Sequence, residues 1–153
     1  MAEPRPAVAA ARPSAPVPRA ASPPTLASAQ HPLVGRIVEK TAARVVVERI
    51  FCASADPYLQ DSRVGGRACV PAALAWEALA ETAELALGEP VTGAGALKSA
   101  GPLFLDRDGS LTVRLEAERA GDRVHATLYV HDGGAPRVRF GAELTGGAAA
   151  AIA

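Results

Sequence analysis

One segment of the sequence has a strongly helical composition and stands among segments that alternate with a period of two. Pro71 to Leu87 consists almost entirely of Ala, Leu, Trp and Glu, which favour a helix, and Gly88 supplies a stop. Proline suits the first helical turn, so we predict a helix over Pro71 to Leu87. Its apolar face carries small and medium side chains that permit close packing on a sheet: Leu74, Ala75, Ala78, Leu79, Ala83 and Ala86.

The segments after this helix predict an antiparallel meander. Apolar residues occupy every second position from Leu111 to Glu118 and again from Arg123 to Val130, and "AGD" separates the two runs. A third run, Arg137 to Leu144, places Val138, Phe140, Ala142 and Leu144 on one phase. Such alternation is typical of strands with one buried face.

The remaining segments complete an α+β layout. "RVVVERIFCA", from Arg44 to Ala53, is rich in β-branched residues and predicts a strand, with a shorter strand before it at "RIVE". "ALKSAGPLFL" predicts a strand that is interrupted near Gly101, and "DRDGS" predicts the turn into the meander. We therefore predict one long helix packed on an antiparallel sheet of five or more strands.

Composition limits the partners and the setting. The chain of 153 residues has 16 basic and 16 acidic residues, so it has no net field that attracts nucleic acid or an anionic membrane. Its two cysteines, Cys52 and Cys69, match neither a disulfide framework nor a metal-ligand spacing. Without a signal-like or membrane-spanning apolar run, we expect a soluble, cytoplasmic protein with no metal or cofactor.

The two ends of the sequence differ from the middle. Residues 1–30 hold seven of the 13 prolines and almost no large apolar side chains, which predicts a disordered Ala/Pro-rich tail or linker. Residues 146–153 are all glycine or alanine except Ile152, and this composition predicts a flexible C-terminus. We therefore predict one folded domain over residues 31–145.

The stretch "DSRVGGRACVPAALAWEALAE" resembles the hotdog-fold dehydratase domains of polyketide and polyunsaturated fatty acid synthases. That family has a histidine, three residues, a glycine, four residues, a proline and then a helix with an acidic residue. Gly66 and Pro71 match the glycine and the proline, and Glu77 stands six residues after the proline. "HPLVG" at His31 and "DPYLQD" also resemble family segments.

The sequence departs from the family at the decisive position. Counting back from Gly66 places Ser62 where the catalytic histidine would stand. In the family that histidine removes the α-proton of a β-hydroxyacyl thioester, while a carboxylic acid protonates the departing hydroxyl. The resemblance makes Ser62 and Glu77 the catalytic candidates, and a serine is a poor base unless another group activates it.

Alternatives stay open for several of these residues. Glu77, Glu81 and Glu84 are spaced like a solvated helix stripe, and Gly65 and Gly66 fit either a simple turn or a site for a substrate carbonyl. Several arginine, histidine and tryptophan side chains can be explained either as surface or packing residues or as functional ones. Arg63 and Arg67 could meet a phosphopantetheine phosphate, His125 and His131 fall on an exposed phase, and Trp76 suits core or interface packing.

The resemblance implies a dehydratase-like domain that binds a β-hydroxyacyl or enoyl thioester on acyl carrier protein or CoA. We expect impaired catalysis because of Ser62, with Gly65, Gly66 and Pro71 near the substrate. The alternatives are an active hydro-lyase that uses Glu77 with a modified or partner-supplied base, and a structural dimerisation module. A hotdog sheet leaves an open edge, so a homodimer or a heterodimer with another hotdog domain is expected.

Overall fold

The computed structural model describes residues 31–131 and 133–147, and the predictions made for residues 1–30 and 148–153 lie outside this part. One α-helix, α1 (Ala72–Leu87), stands among nine strands in the described residues. The strands are β1 (Arg36–Lys40), β2 (Arg44–Cys52), β3 (Arg63–Val64), β4 (Arg67–Val70), β5 (Val91–Ser99), β6 (Leu103–Phe104), β7 (Ser110–Ala120), β8 (Arg123–His131) and β9 (Pro136–Gly146). A short 3-10 helix, Pro57–Leu59, follows β2.

Six strands form one antiparallel sheet in the order β1-β2-β7-β8-β9-β5. The three short strands form a separate small sheet in the order β3-β4-β6. This arrangement confirms the predicted α+β layout, and it also confirms the interruption between β5 and β6, since Gly101 adopts a φ of 108° there.

Helix α1 lies across the large sheet and contacts β2, β5, β7, β8 and β9. Its predicted apolar face is confirmed, because Ala75, Ala78, Leu79 and Ala83 are at most 1% exposed. Three alanines on this face allow the helix backbone to approach the apolar side of the sheet closely. The helix begins at Ala72 rather than at Pro71, and Gly88 ends it with a φ of 76°.

The prediction for Val138 was wrong. Its side chain is 54% exposed, although it shares a sequence phase with the buried Phe140. The pairing of β8 with β9 shifts register between Leu128 and Tyr129, so that Leu128 faces Phe140 while Tyr129 faces Val138. A register shift of this kind adds a residue to one strand and reverses which side chains face the core.

Candidate functional site

Ser62 directly precedes a short hairpin made by β3 and β4. Gly65 and Gly66 connect the two strands with φ angles of 57° and 78°, which fits a two-residue hairpin turn. The carbonyl of Ser62 accepts the N–H of Cys69 at 3.0 Å and extends the pairing by one residue. The glycines therefore have a conformational role in placing Ser62 opposite Cys69, and their predicted role in substrate binding stays a prediction.

The Ser62 side chain lies beside a thiol. Its Oγ atom is 3.6 Å from Sγ of Cys69, which is 4% exposed, while Ser62 itself is half-buried. Among the residues that the structure describes, this thiol is the hydrogen-bond partner of the hydroxyl. A thiol is a weak partner and does not activate a hydroxyl as an imidazole or a carboxylate would.

The loop that leads to Ser62 is anchored by Asp56. This carboxylate is 5% exposed and accepts hydrogen bonds from the Arg49 guanidinium at 2.6 Å, the Tyr58 hydroxyl at 3.0 Å and the Cys52 N–H at 3.0 Å. Burial, followed by the hydrogen bond to Asp56, raises the pKa of Tyr58. Asp56 is the first residue of the "DPYLQD" segment, and no pattern in the sequence indicates that it is buried.

Glu77 lies on α1 and is exposed in the described chain. No hydrogen bond joins it to Ser62 within residues 31–131 and 133–147. Its charge acts on Glu81, whose pKa it helps to raise. The structure therefore does not join Ser62 and Glu77 as a dyad within one chain, and their catalytic roles stay predictions. Pro71 is half-buried just before α1, where its carbonyl accepts the N–H groups of Leu74 and Ala75.

The solvated stripe that the glutamate spacing indicated is present only in part. Glu81 is 5% exposed, and its Oε2 atom accepts the backbone N–H groups of Leu33 at 2.7 Å and Val34 at 3.1 Å. Burial raises the pKa of Glu81, and the two N–H groups oppose that shift. Helical spacing could not reveal this role, because the N–H donors lie far away in sequence.

Glu84 makes a second connection from α1. Its Oε2 atom lies 3.0 Å from Nε2 of His31, and its Oε1 atom accepts the N–H of Val91 at 3.0 Å. Glu81 and Glu84 together hold the segment before β1 and the start of β5 against the helix. The "HPLV" segment is thus part of the folded unit.

The other residues that the sequence singled out have structural surroundings. His125 and His131 are exposed, as their phase predicted. Trp76 packs edge-to-face on Phe140 with ring centroids 5.0 Å apart, in agreement with a packing role. Residues of "DRDGS" form the predicted turn, in which Asp108 accepts hydrogen bonds from the N–H and the hydroxyl of Ser110. In the described part of the chain no helix has the length and apolarity needed to cross a membrane.

Comparison with known families supplies a context for this geometry. The model of the polyketide synthase dehydratase domain matches residues 31–132. A solved dehydratase domain of a mycocerosic acid synthase-like polyketide synthase is 28% identical, with a TM-score of 0.60, over 73% of this chain and 39% of that one. No curated protein matched the chain significantly.

Further solved structures show the same fold at lower identity. A dehydratase structure described for the borrelidin and fluvirucin polyketide synthases is 21% identical with a TM-score of 0.65, over 80% of this chain and 44% of that one. The dehydratase domain from the terminal module of the rifamycin polyketide synthase is 22% identical with a TM-score of 0.63. The match covers 79% of this chain and 46% of that domain. The chain thus spans less than half the length of these solved domains.

Proposed function

This chain belongs to the polyketide synthase dehydratase family, and on that premise we propose that it binds a β-hydroxyacyl or enoyl thioester in polyketide biosynthesis with impaired catalysis. Its fold is the hotdog fold of that family. The observation that carries the proposal is the surroundings of Ser62, whose hydroxyl has a buried thiol as its neighbour. Counting back from Gly66 in the motif assigns Ser62 to the position of the catalytic histidine.

Dehydration of a β-hydroxyacyl thioester needs two proton transfers. A base takes the α-proton, the β-hydroxyl leaves with a proton from an acid, and the products are an enoyl thioester and water. Without its positioned base, such a reaction slows by about 10²–10⁴-fold. The Ser62 hydroxyl beside Cys69 offers no such base. We therefore expect the protein to bind the thioester but to dehydrate it slowly or not at all.

The open edge of the large sheet supports pairing with a second hotdog domain. β5 lies at one end of the strand order, most of its residues are exposed, and Leu97 is 55% exposed. Its only charged residue is Lys98. Charged residues protect the opposite edge better, since β1 carries Arg36, Glu39 and Lys40. We propose that β5 pairs with a second copy or with another hotdog domain, and that the acyl chain arrives on acyl carrier protein or CoA.

The experiment compares turnover with binding. Purified protein is assayed for dehydration of a β-hydroxyacyl N-acetylcysteamine thioester by the ultraviolet absorbance of the enoyl product. Binding of the same thioester is measured by calorimetry. We expect binding with little or no turnover in the wild type, and measurable turnover in Ser62→His. The gain should disappear in Ser62→His with Glu77→Gln if Glu77 is the acid.

A control separates positioned catalysis from added imidazole. Ser54→His introduces a histidine at an exposed serine of the same region and should leave turnover at the wild-type level. Robust wild-type turnover that is lost in Ser62→Ala would contradict impaired catalysis and favour a working hydro-lyase. Absence of thioester binding would favour a structural dimerisation module.

A further inference from the structure

The large sheet carries a hollow on the side that faces away from α1. Thr127 of β8 and Gly141 of β9 each lie between two buried neighbours on their own strand. Successive side chains of a strand point to opposite faces, and α1 covers the buried face of β8 and β9, so both positions face away from the helix. The hollow over them has a volume of about 540 Å³, which is within the range of small-molecule sites.

Gly141 forms the floor of the hollow. It pairs with Thr127 on one side and with Lys98 of β5 on the other. Neighbouring strands lie about 4.8 Å apart, so Thr127 and Lys98 stand about 10 Å from each other across the glycine. Apart from its chain neighbours, a Cβ atom at Gly141 would have one heavy atom within 4 Å, the carbonyl oxygen of Ala126 at 3.9 Å. The space over Gly141 is therefore open to a flat group.

The hollow has an apolar end and a polar end. Tyr129 and Val138 are cross-strand partners at the apolar end, where Val138 is 54% exposed. His125 and Glu143 are partners at the polar end, and Arg123 already balances the charge of Glu143. A ring in the hollow would cover Val138 and one face of Tyr129 and would gain from the burial of both. The register shift that exposes Val138 thus supplies the apolar wall of the hollow.

Three polar groups around the hollow have no partner within residues 31–131 and 133–147. They are the ammonium of Lys98 and the hydroxyls of Thr127 and Tyr129, and both hydroxyls belong to half-buried side chains. An ammonium is a compact single charge with three donors, so it suits one carboxylate. A hydroxyl both donates and accepts, so it suits a polar substituent on a ring.

We propose that this hollow binds a small aromatic carboxylate with a hydroxyl group on its ring. The ring lies over Gly141 against Tyr129 and Val138. The carboxylate accepts hydrogen bonds from Lys98, and the ring hydroxyl meets Thr127 on the opposite side of the glycine. The charge of Glu143 is paired with Arg123 and leaves the ligand carboxylate to Lys98. The ligand class follows from one free cation, one apolar wall and one free hydroxyl around a flat floor.

A pair of probes tests the carboxylate on the full chain. 4-Hydroxyphenylacetate and its neutral isostere 4-hydroxyphenylacetamide are titrated to about 20 mM, and nuclear magnetic resonance shifts of the labelled protein give the affinities. We expect the carboxylate to bind about threefold to fivefold more tightly than the amide, because it alone pairs with an exposed ammonium. The largest shift changes should fall on Thr127, Tyr129 and Gly141.

Variants of Lys98 test the charge, and the chain offers a matched control. Its two lysines are Lys40 and Lys98, both exposed, and Lys40 lies on β1 at the opposite edge of the large sheet. Lys98→Met should lower the affinity for the carboxylate to that for the amide and leave the amide unchanged. Lys40→Met should leave the affinities for both probes at their wild-type values.

Two further variants test the floor and the wall. Gly141→Val places a side chain in the open space and suits a strand, so we expect it to prevent binding of both probes. Thr127→Val keeps the shape of the side chain without its hydroxyl and should weaken binding of both probes by about threefold. Circular dichroism confirms that each variant is folded, and Lys98→Met tests the site by itself if Gly141→Val does not fold.

Four outcomes would overturn the proposal. The site would be excluded if neither probe bound at about 20 mM. Equal affinities of the wild type for the two probes, or an equal loss of both in Lys98→Met, would exclude carboxylate recognition by this lysine. Wild-type affinity in a folded Gly141→Val variant would place binding elsewhere, including any acyl site near Ser62. The thioester assay tests the proposed function separately, and either proposal can fail without the other.

Discussion

Oε2 of Glu81 accepts the backbone N–H of Leu33 at 2.7 Å, across 48 positions of sequence. The same oxygen accepts the N–H of Val34. Leu33 and Val34 are themselves buried, so these N–H groups have little access to water. One helix carboxylate thus satisfies two backbone donors and fixes the segment before β1 against α1.

Replacing Glu81 should therefore cost more than the loss of a surface charge. Glu81→Ala leaves two buried N–H groups without an acceptor, and we expect the free energy of unfolding to fall by about 2–4 kcal/mol. Glu81→Gln keeps a carbonyl oxygen at the same position and should cost clearly less. Denaturant unfolding followed by circular dichroism measures both values. Equal losses for the two variants would contradict the role of the acceptor.

The pH dependence of stability should also report on Glu81. Burial raises the pKa of this carboxyl above its ordinary value of 4.5, so the folded state holds the proton more tightly than the unfolded state. The stability from this group is fully present below pH 4.5 and is lost as the pH rises through the folded pKa. The stability of the wild type minus that of Glu81→Gln should fall over this window in thermal scans. A rise would contradict the shift.

Asp56 should be the most sensitive position of the loop before Ser62. Asp56→Ala leaves Arg49 without its partner and the Cys52 N–H without an acceptor, and breaking such a buried pair costs about 3–5 kcal/mol. Tyr58→Phe removes only one hydroxyl from the same carboxylate and should cost about 0.5–1.5 kcal/mol. Urea denaturation of the two variants tests this order. Similar losses would contradict the central position of Asp56.

The two thiols should differ in reactivity. The hydrogen bond with the Ser54 hydroxyl lowers the pKa of Cys52, which favours its reactive thiolate, whereas Cys69 is 4% exposed. We expect one fast reaction with a disulfide reagent such as Ellman's reagent, and Cys52→Ser should remove it. Cys69→Ser should leave the fast phase unchanged. A fast phase that survives Cys52→Ser would contradict the assignment.

The exposed edge strand β5 should control self-association. Leu97→Lys adds a charge at a 55% exposed position and should shift a homodimer towards the monomer in sedimentation velocity. Ile50→Lys makes the same change at a 59% exposed position of β2, an inner strand, and serves as the control. A wild type that is strictly monomeric at high concentration would contradict the homodimer.

Local sequence patterns predicted most of the secondary structure. The helix was recognised because Ala, Leu and Glu are strong helix formers and Gly88 ends the run, and the meander because its apolar residues repeat every two positions. The phase of β9 at Val138 was missed, since the register shift that exposes it arises from pairing with β8. The alternation of apolar and polar residues within one strand does not indicate a shift in its pairing with another strand.

By itself the sequence determined the long helix, the strands of the meander and the presence of serine at position 62, because each depends on neighbouring residues. Only the tertiary structure decided which glutamates of α1 are buried. Glu77, Glu81 and Glu84 share one helical stripe, yet Glu81 alone is fully covered, because the segment at Leu33 folds back over it. Burial is set by contacts distant in sequence, and spacing within a helix holds no information about them.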